Sequence, residues 1–203
     1  LPDLRAGIGE AIGQPLAARV FHAVFLSDKL QGWRVNRPEA GGGVILDITV
    51  HDADTLRFTL GAEPVQATAL TASQGMASQG LADAVMGVLR FDNGMLAQFH
   101  DAFTIRHTKT GIEYHGTDGS ILASDVMTQE PRGTIVLRRG DAEETIDPGP
   151  PEDLYVRSVR AFNATIRGEG EPAATGEDGV RSLATALAVA ESAARGRAVE
   201  ILQ

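Results

Sequence analysis

The sequence predicts an α+β domain, in which an open, mostly antiparallel β-sheet carries its helices on one face. Three observations point to this class. Strand-like segments follow one another through residues 65–146 without a helical pattern between them. A helical pattern precedes them at residues 44–60, and two more follow, over residues 152–166 and 175–196. Short turns join most of the strands, which favours antiparallel pairing and leaves the helices to cover one side.

The segments before the sheet predict a helix end, a strand and a loop. Residues 1–11 resemble the end of a helix, and residues 16–26 alternate between apolar and polar side chains as a strand does. Residues 27–43 follow neither period, so we expect a long loop there, ending in three consecutive glycines. A helical pattern then begins at Val44 and stops at Gly61, a residue typical of helix C-terminal ends.

The middle of the chain predicts successive antiparallel strands. The tripeptide Asp92-Asn93-Gly94 between two alternating segments is a strong hairpin signal, and Thr117-Asp118-Gly119 joins a second pair. The predicted strands are residues 65–71, 84–91, 95–103, 110–115, 120–124, 134–139 and 143–146.

Two helices close the predicted domain. Residues 152–166 carry apolar side chains at helical spacing. Thr175 followed by Asp178 predicts an N-cap and an acidic first turn, and Gly196 predicts the end of this last helix.

The composition is that of an acidic globular protein. The chain has 203 residues, with 18 Lys and Arg against 27 Asp and Glu, a formal charge of −9 and 43% hydrophobic residues. This composition excludes a disordered chain, and the negative charge argues against nucleic acid or membrane surfaces as partners. The chain has no cysteine, which excludes disulfides and thiol nucleophiles and favours a reducing, cytoplasmic location. Its start at Leu1 rather than Met predicts a piece of a longer or processed protein.

The most informative candidate site is the pair Asp47 and His51. The two residues are four apart on a predicted helix and therefore share a face. A carboxylate beside an imidazole raises the pKa of the histidine and orients its ring, which suits a proton donor that works near neutral pH. The spacing alone favours an exposed surface pair over a functional one.

Further candidates are Trp33 with Arg34, and a set of histidines. Trp33 is the only tryptophan, and its ring with the adjacent guanidinium suits a sugar ligand, although a single Trp is often a core residue. His22 and the pair His100 and Asp101 could join Asp47 and His51 in a metal site, but histidines in strands are more often structural, so we assign no metal ligand.

A glycine pattern near the start does not satisfy the requirements of a nucleotide-binding loop. Residues 7–13 read G-x-G-x-x-x-G, whereas a dinucleotide site needs G-x-G-x-x-G between a strand and a helix. We therefore assign no cofactor-binding residue to this chain.

Several blocks of the sequence resemble the C-terminal domain of the glucose-fructose oxidoreductase / inositol dehydrogenase / MocA family. The stretch from Gly41 to Leu56 resembles the family's glycine-rich D-x-x-x-H-x-x-D helix. The other blocks are ARVFHAVFL, LQGWR, DAVMGVLRF, AQFHDAF, HGTDGS, DVMTQ and TGEDGVRSLATALAV. The likeness extends from about Ile12 to the end of the chain.

The resemblance implies a two-domain oxidoreductase of which this chain is the second, substrate-binding domain over residues 12–203. Residues 1–11 then correspond to the helix after a nucleotide-binding domain that binds NADP(H) or NAD(H). In this assignment His51 is the acid/base residue, Asp47 assists it, and Trp33 and Arg34 line the sugar pocket. The implied reaction is reduction of a cyclic keto-sugar, most specifically 1,5-anhydro-D-fructose to 1,5-anhydro-D-mannitol, and the chain alone is expected to be inactive.

Two other functions are compatible with the residues. The chain could serve as a non-catalytic sugar-binding or oligomerisation module, and we expect any homo-oligomer to form through the open sheet face. A metal-dependent sugar isomerase or hydrolase would instead bring Asp47, His51 and His100 together around a metal.

Overall fold

The computed structural model describes residues 2–202, with side chains from Gly7 onward. Nine strands form one sheet: β1 (Pro15–Ala23), β2 (Pro64–Ala72), β3 (Ala84–Phe91), β4 (Leu96–Ala102), β5 (Gly111–Gly116), β6 (Ser120–Ser124), β7 (Thr134–Arg139), β8 (Ala142–Ile146) and β9 (Val199–Glu200). Their order across the sheet is β8-β7-β6-β5-β1-β4-β3-β2-β9. All neighbours are antiparallel except β1 and β4, which are parallel. The predicted open, mostly antiparallel sheet is confirmed.

In the described part of the chain, five α-helices accompany the sheet: α1 (Pro2–Ile12), α2 (Asp28–Asn36), α3 (Val50–Leu60), α4 (Leu154–Ile166) and α5 (Gly176–Arg195). Helix α5 packs on β2 and on α3, and α1 packs on α3 and β6. The predicted N-cap of α5 is confirmed, and it forms a capping box, since the side chains of Thr175 and Asp178 each bond the other residue's backbone N–H. No helix within residues 2–202 is long and apolar enough to cross a membrane.

The two faces of the sheet differ in burial. On the helix-covered face, Val20, Leu89 and Phe99 are almost completely buried. On the opposite face, Met86 is 54% exposed and Leu70 is 74% exposed. Successive side chains in a strand point to opposite faces, so the alternation in the sequence decides which residues enter the core.

The loop predicted over residues 27–43 is wrong, because α2 and a short 3-10 turn (Pro38–Ala40) occupy most of it. The helical turns of α2 are interrupted at Gly32, whose φ of 29° and ψ of −127° are not helical. This break removes the regular helical spacing, which is why the sequence pattern suggests a loop. Trp33 and Arg34 therefore lie on a helix.

The predicted helix over residues 44–60 is confirmed with one difference. Its start is a π-helical turn (Ile45–Thr49), in which the Val50 N–H donates to the carbonyl of Ile45 five residues earlier. The remainder is α3, which ends at Gly61 in the left-handed region at φ 61°. π turns widen a helix locally and are frequent at functional sites.

The glycine pattern at residues 7–13 lies mainly within a helix. Gly7 and Gly9 are part of α1, and Gly13 follows it at φ 73°. The side chains of Ile8 and Ile12 are buried in the core of the sheet domain. This segment therefore forms no strand-to-helix turn that could bind a pyrophosphate, and the part of it that the structure describes packs as an integral element of the domain.

Candidate active site

A cavity of about 800 Å³ lies where the π-helical turn and α3 meet the end of β1. The segment after β6, at residues 126–129, and the start of α4 complete its wall. The imidazole, guanidinium and carboxyl groups along this wall belong to His22, Arg34, Asp47, His51 and Asp54. Three of the four predicted site residues thus line one cavity.

Asp47 is held by Arg34 rather than by His51. The Arg34 Nε donates to Asp47 Oδ1 at 2.9 Å, and no hydrogen bond joins Asp47 to His51 in the described part of the chain. The expected carboxylate–imidazole pair is therefore not formed directly. A π turn has more residues per turn than an α-helix, so four residues separate the two side chains by a different angle than in a regular helix.

The glycine run brings α2 against the π turn. A side chain at Gly42 would approach the Trp33 and Arg37 carbonyls within 3 Å, so only glycine lets the two segments pack this closely. The Gly43 N–H donates to the Arg34 carbonyl at 2.7 Å. The run therefore places Arg34 beside Asp47, and it serves the packing of two segments of the chain.

His51 lies on the first turn of α3 with its side chain exposed. Its backbone carbonyl accepts a hydrogen bond from Thr55, a neighbour on the same helix and cavity wall. An exposed imidazole at the cavity wall is accessible both to a ligand and to solvent, as a proton donor must be.

Trp33 is not one of the residues that line this cavity. Its side chain is 40% exposed, and the Arg34 guanidinium carbon lies 4.7 Å from the centre of its ring. Trp33 is thus neither a buried core residue nor part of the cavity wall, but its ring contacts Arg34, which does line the wall. Its contact with a substrate stays a prediction.

Sequence reasoning named His22 and Asp101 only as candidate metal ligands and missed the buried groups that they contact next to the cavity. The His22 Nδ1 lies 2.7 Å from Asp52 Oδ1, and Thr49 donates to Asp101 Oδ2 at 2.5 Å. Burial raises the pKa of Asp52 to about 7, and burial together with the neighbouring Asp52 raises that of Asp101 well above its ordinary value. Burial lowers the pKa of His22. The available signal was the apolar residues that share a face with these carboxyls, such as Leu56, four residues after Asp52, and Phe99, two residues before Asp101.

His100 is separated from these groups. It adjoins Asp101 in β4 and therefore points to the open face, where its ring packs edge-on against Phe21 at 4.8 Å. Among residues 7–202, no three His, Asp or Glu side chains are grouped so as to hold a metal ion. A metal site of Asp47, His51 and His100 is not assembled in this fold.

Known proteins are similar to this chain in sequence and in fold. The profile of the GFO/IDH/MocA oxidoreductase family, C-terminal alpha/beta domain, matches residues 7–201. The chain is 57% identical over 199 residues to 1,5-anhydro-D-fructose reductase of Ensifer adhaerens, covering 98% of this chain and 60% of that protein. It is 31% identical over 176 residues to inositol 2-dehydrogenase of Rhizobium meliloti (strain 1021), covering 79% of this chain and 50% of that protein.

A solved structure extends the likeness of the fold. The aldose-aldose oxidoreductase from Caulobacter crescentus complexed with glycerol has a TM-score of 0.85 at 22% identity. The match covers 97% of this chain and 58% of that one. The chain thus spans between half and about 60% of the length of these three proteins.

Proposed function

This chain belongs to the GFO/IDH/MocA oxidoreductase family as its C-terminal alpha/beta domain, and we propose that it binds substrate and completes the active site of a sugar reductase. The reaction would reduce the keto group of a cyclic sugar. The observation that carries the proposal is the single cavity in which Asp47, held by Arg34, and His51 both reach the wall.

The size and chemistry of the cavity support a sugar-sized ligand. Small-molecule sites commonly enclose roughly 300–1,000 Å³ and combine apolar walls with a few polar groups. This cavity of about 800 Å³ joins apolar residues such as Leu26 and Phe103 to the charged groups named above. Carboxylate and imidazole groups can exchange hydrogen bonds with sugar hydroxyls.

We assign the cofactor to residues outside this chain. The described residues form no glycine-rich turn between a strand and a helix, which is the unit that binds a pyrophosphate. A nicotinamide cofactor, when bound, supplies the hydride of such a reduction. Whether it is NADP(H) or NAD(H) depends on residues near the ribose of the cofactor, and we expect this chain alone to be inactive.

His51 is the proposed proton donor. Reduction of a ketone builds negative charge on the carbonyl oxygen, which requires a proton from a positioned acid. Asp47, whose Oδ1 accepts from Arg34, retains its other oxygen to accept a hydrogen bond from a sugar hydroxyl. The ion pair thus fixes a binding group next to the donor.

The most specific substrate we propose is 1,5-anhydro-D-fructose, reduced to 1,5-anhydro-D-mannitol. The support is the 57% identity to a reductase of that name. The predicted cytoplasmic location stays a prediction.

We also propose that two copies of this chain associate through the open sheet face. The support for this association is a row of exposed apolar side chains on that face, which includes Leu70, Met86 and Val88. Met86→Lys should shift the molar mass measured by light scattering from dimer to monomer, because it buries a charge at the centre of the contact. An unchanged mass, whether monomeric or dimeric, would contradict this association.

The test of the reductase function is His51→Ala in the protein that carries both domains. Loss of one general acid should lower kcat by about 10² to 10⁴-fold, with a smaller effect on cofactor affinity. Consumption of NADPH and of NADH with 1,5-anhydro-D-fructose measures turnover. His107→Ala, at an exposed site away from the cavity, is the matched control. Turnover within a few-fold of wild type would show that the role given to His51 is wrong.

A further inference from the structure

Asp52 and Asp101 are two almost fully buried carboxyl groups beside the cavity, close enough for each to shift the pKa of the other. Asp52 comes from α3, and Asp101 comes from β4, where it is in register with His22 of β1. Two ionised carboxylates are unstable in such contact, because their repulsion adds to the cost of burying each charge. One proton must therefore be shared between them.

The hydrogen bonds of the four carboxyl oxygens leave one place for this proton. Asp52 Oδ1 contacts the His22 ring at 2.7 Å, and Asp101 Oδ2 accepts from Thr49. The remaining two oxygens, Asp52 Oδ2 and Asp101 Oδ1, are buried without a hydrogen-bond partner among the described residues. A proton between these two atoms satisfies every oxygen of the pair.

Asp101 is the member that holds the proton. Its pKa is raised more strongly, since burial and the adjacent Asp52 both raise it. For Asp52, burial raises the pKa but the interaction with Asp101 lowers it. Asp101 then donates from Oδ1 to Asp52 Oδ2. Asp52 is left as an acceptor at both oxygens.

This arrangement fixes the tautomer of His22. Because Asp52 Oδ1 accepts, the His22 Nδ1 must carry a hydrogen. Burial opposes a positive charge on the ring and lowers the pKa of His22, so the second nitrogen is unprotonated. That nitrogen, Nε2, makes no hydrogen bond within residues 7–202 and is not among their fully buried unpaired atoms, while the ring lines the cavity.

We propose that Asp52 and Asp101 form a positioning pair that shares one proton and holds His22 with Nδ1 protonated, so that His22 Nε2 accepts a hydrogen bond from a sugar hydroxyl. The inference rests on the proposed sugar-reductase function. It adds a substrate-binding residue on β1 to those on α2, the π turn and α3. The other ionisable groups facing the cavity lie on four elements: Arg34 on α2, Asp47 on the π turn, His51 and Asp54 on α3, and Tyr155 on α4.

The tautomer can be observed without any activity. The chain has five histidines, so a long-range ¹⁵N–¹H spectrum of the ¹⁵N-histidine protein contains five ring patterns, and His22→Asn identifies the one that disappears. We expect His22 to be neutral near pH 7.5 with the hydrogen on Nδ1. A hydrogen on Nε2, or a doubly protonated ring, would overturn the inference.

The two amide substitutions test the positioning role. Asp101→Asn keeps a donor toward Asp52 and an acceptor toward Thr49, whereas Asp52→Asn replaces one of the two acceptor oxygens by a donor. In the two-domain protein, Asp52→Asn should raise the KM for the keto-sugar roughly 3- to 10-fold, the effect of one neutral hydrogen bond, with a smaller change in kcat. Asp101→Asn should raise KM less. Equal KM values for the two variants would overturn the inference, since a merely structural role predicts no such order.

His22→Asn tests the binding contact directly, and it remains informative if Asp52→Asn does not fold. Its amide can still donate to Asp52 but has no group at the position of Nε2. We expect the same 3- to 10-fold rise in KM, with His107→Asn unchanged as the control. If the wild-type protein is active and His51→Ala lowers its kcat, an unchanged KM for His22→Asn would refute this inference alone. Failure of the wild-type protein to reduce any keto-sugar would refute the reductase function on which it rests.

Discussion

Phe21 and His22 are neighbours on β1, and His100 and Asp101 are neighbours on β4, yet each pair is divided between the two faces of the sheet. His22 and Asp101 point under the helices, where burial shifts the pKa of both groups and their polar atoms bond Asp52 and Thr49. Phe21 and His100 point to the open face and contact each other through their rings.

The comparison separates two requirements on ionisable residues. Under the helices, every polar atom needs a partner within the protein, so a protonation state is fixed by its neighbours. On the open face, water can also satisfy the polar atoms, so a histidine such as His100 does not need a hydrogen-bond partner within the protein. Histidine identity alone therefore does not indicate a functional site, whereas the face it occupies does.

The largest difference between the faces should be in stability. Phe99→Ala, on the covered face, should lower the free energy of unfolding by about 3–5 kcal/mol, because it leaves a cavity in a packed core. Val88→Ala, on the open face, should change it by about 0.5 kcal/mol or less. Urea denaturation in dilute solution measures both. Similar losses for the two variants would show that the open face is also part of a packed core.

The buried carboxyl pair should appear in the pH dependence of stability. The pKa of Asp101 is raised in the folded state, so above about pH 4 the folded protein holds a proton that the unfolded chain has released. Its contribution to the free energy of unfolding therefore falls as the pH rises. Asp101→Asn removes this dependence and keeps the hydrogen bonds, so its Tm should increasingly exceed that of wild type from pH 4 to pH 8. A constant difference between the two Tm values would indicate that Asp101 is ionised in the folded state.

Trp33→Ala should have the smallest effect. The Trp33 ring supports the Arg34 guanidinium, and one such cation–π contact is worth about 0.5–1 kcal/mol at an exposed site. We expect a rise in KM for sugar of roughly 2- to 5-fold, with little change in kcat, since Arg34 would hold Asp47 less firmly. A lower Tm with an unchanged KM would instead assign Trp33 a purely structural role.

The sequence by itself determined the sheet, most helices and the location of the candidate site. Alternating residues identified the strands, and local signals at Gly61, Thr175 and Gly94 marked two helix ends and a hairpin turn. These signals are local, because they depend on backbone conformations that neighbouring residues impose. The pattern of Asp47 and His51 on one helical segment indicated the site for the same reason.

Only the tertiary structure decided the partners of these residues. Arg34 reaches Asp47 because Gly42 lets α2 pack against the π turn, a contact that no local period encodes. Likewise, Asp52 meets His22 and Asp101 only when α3 lies across two strands that are distant in sequence but adjacent in the sheet. Burial at that crossing shifts the pKa of all three groups, which is a property of the assembled fold and not of any segment.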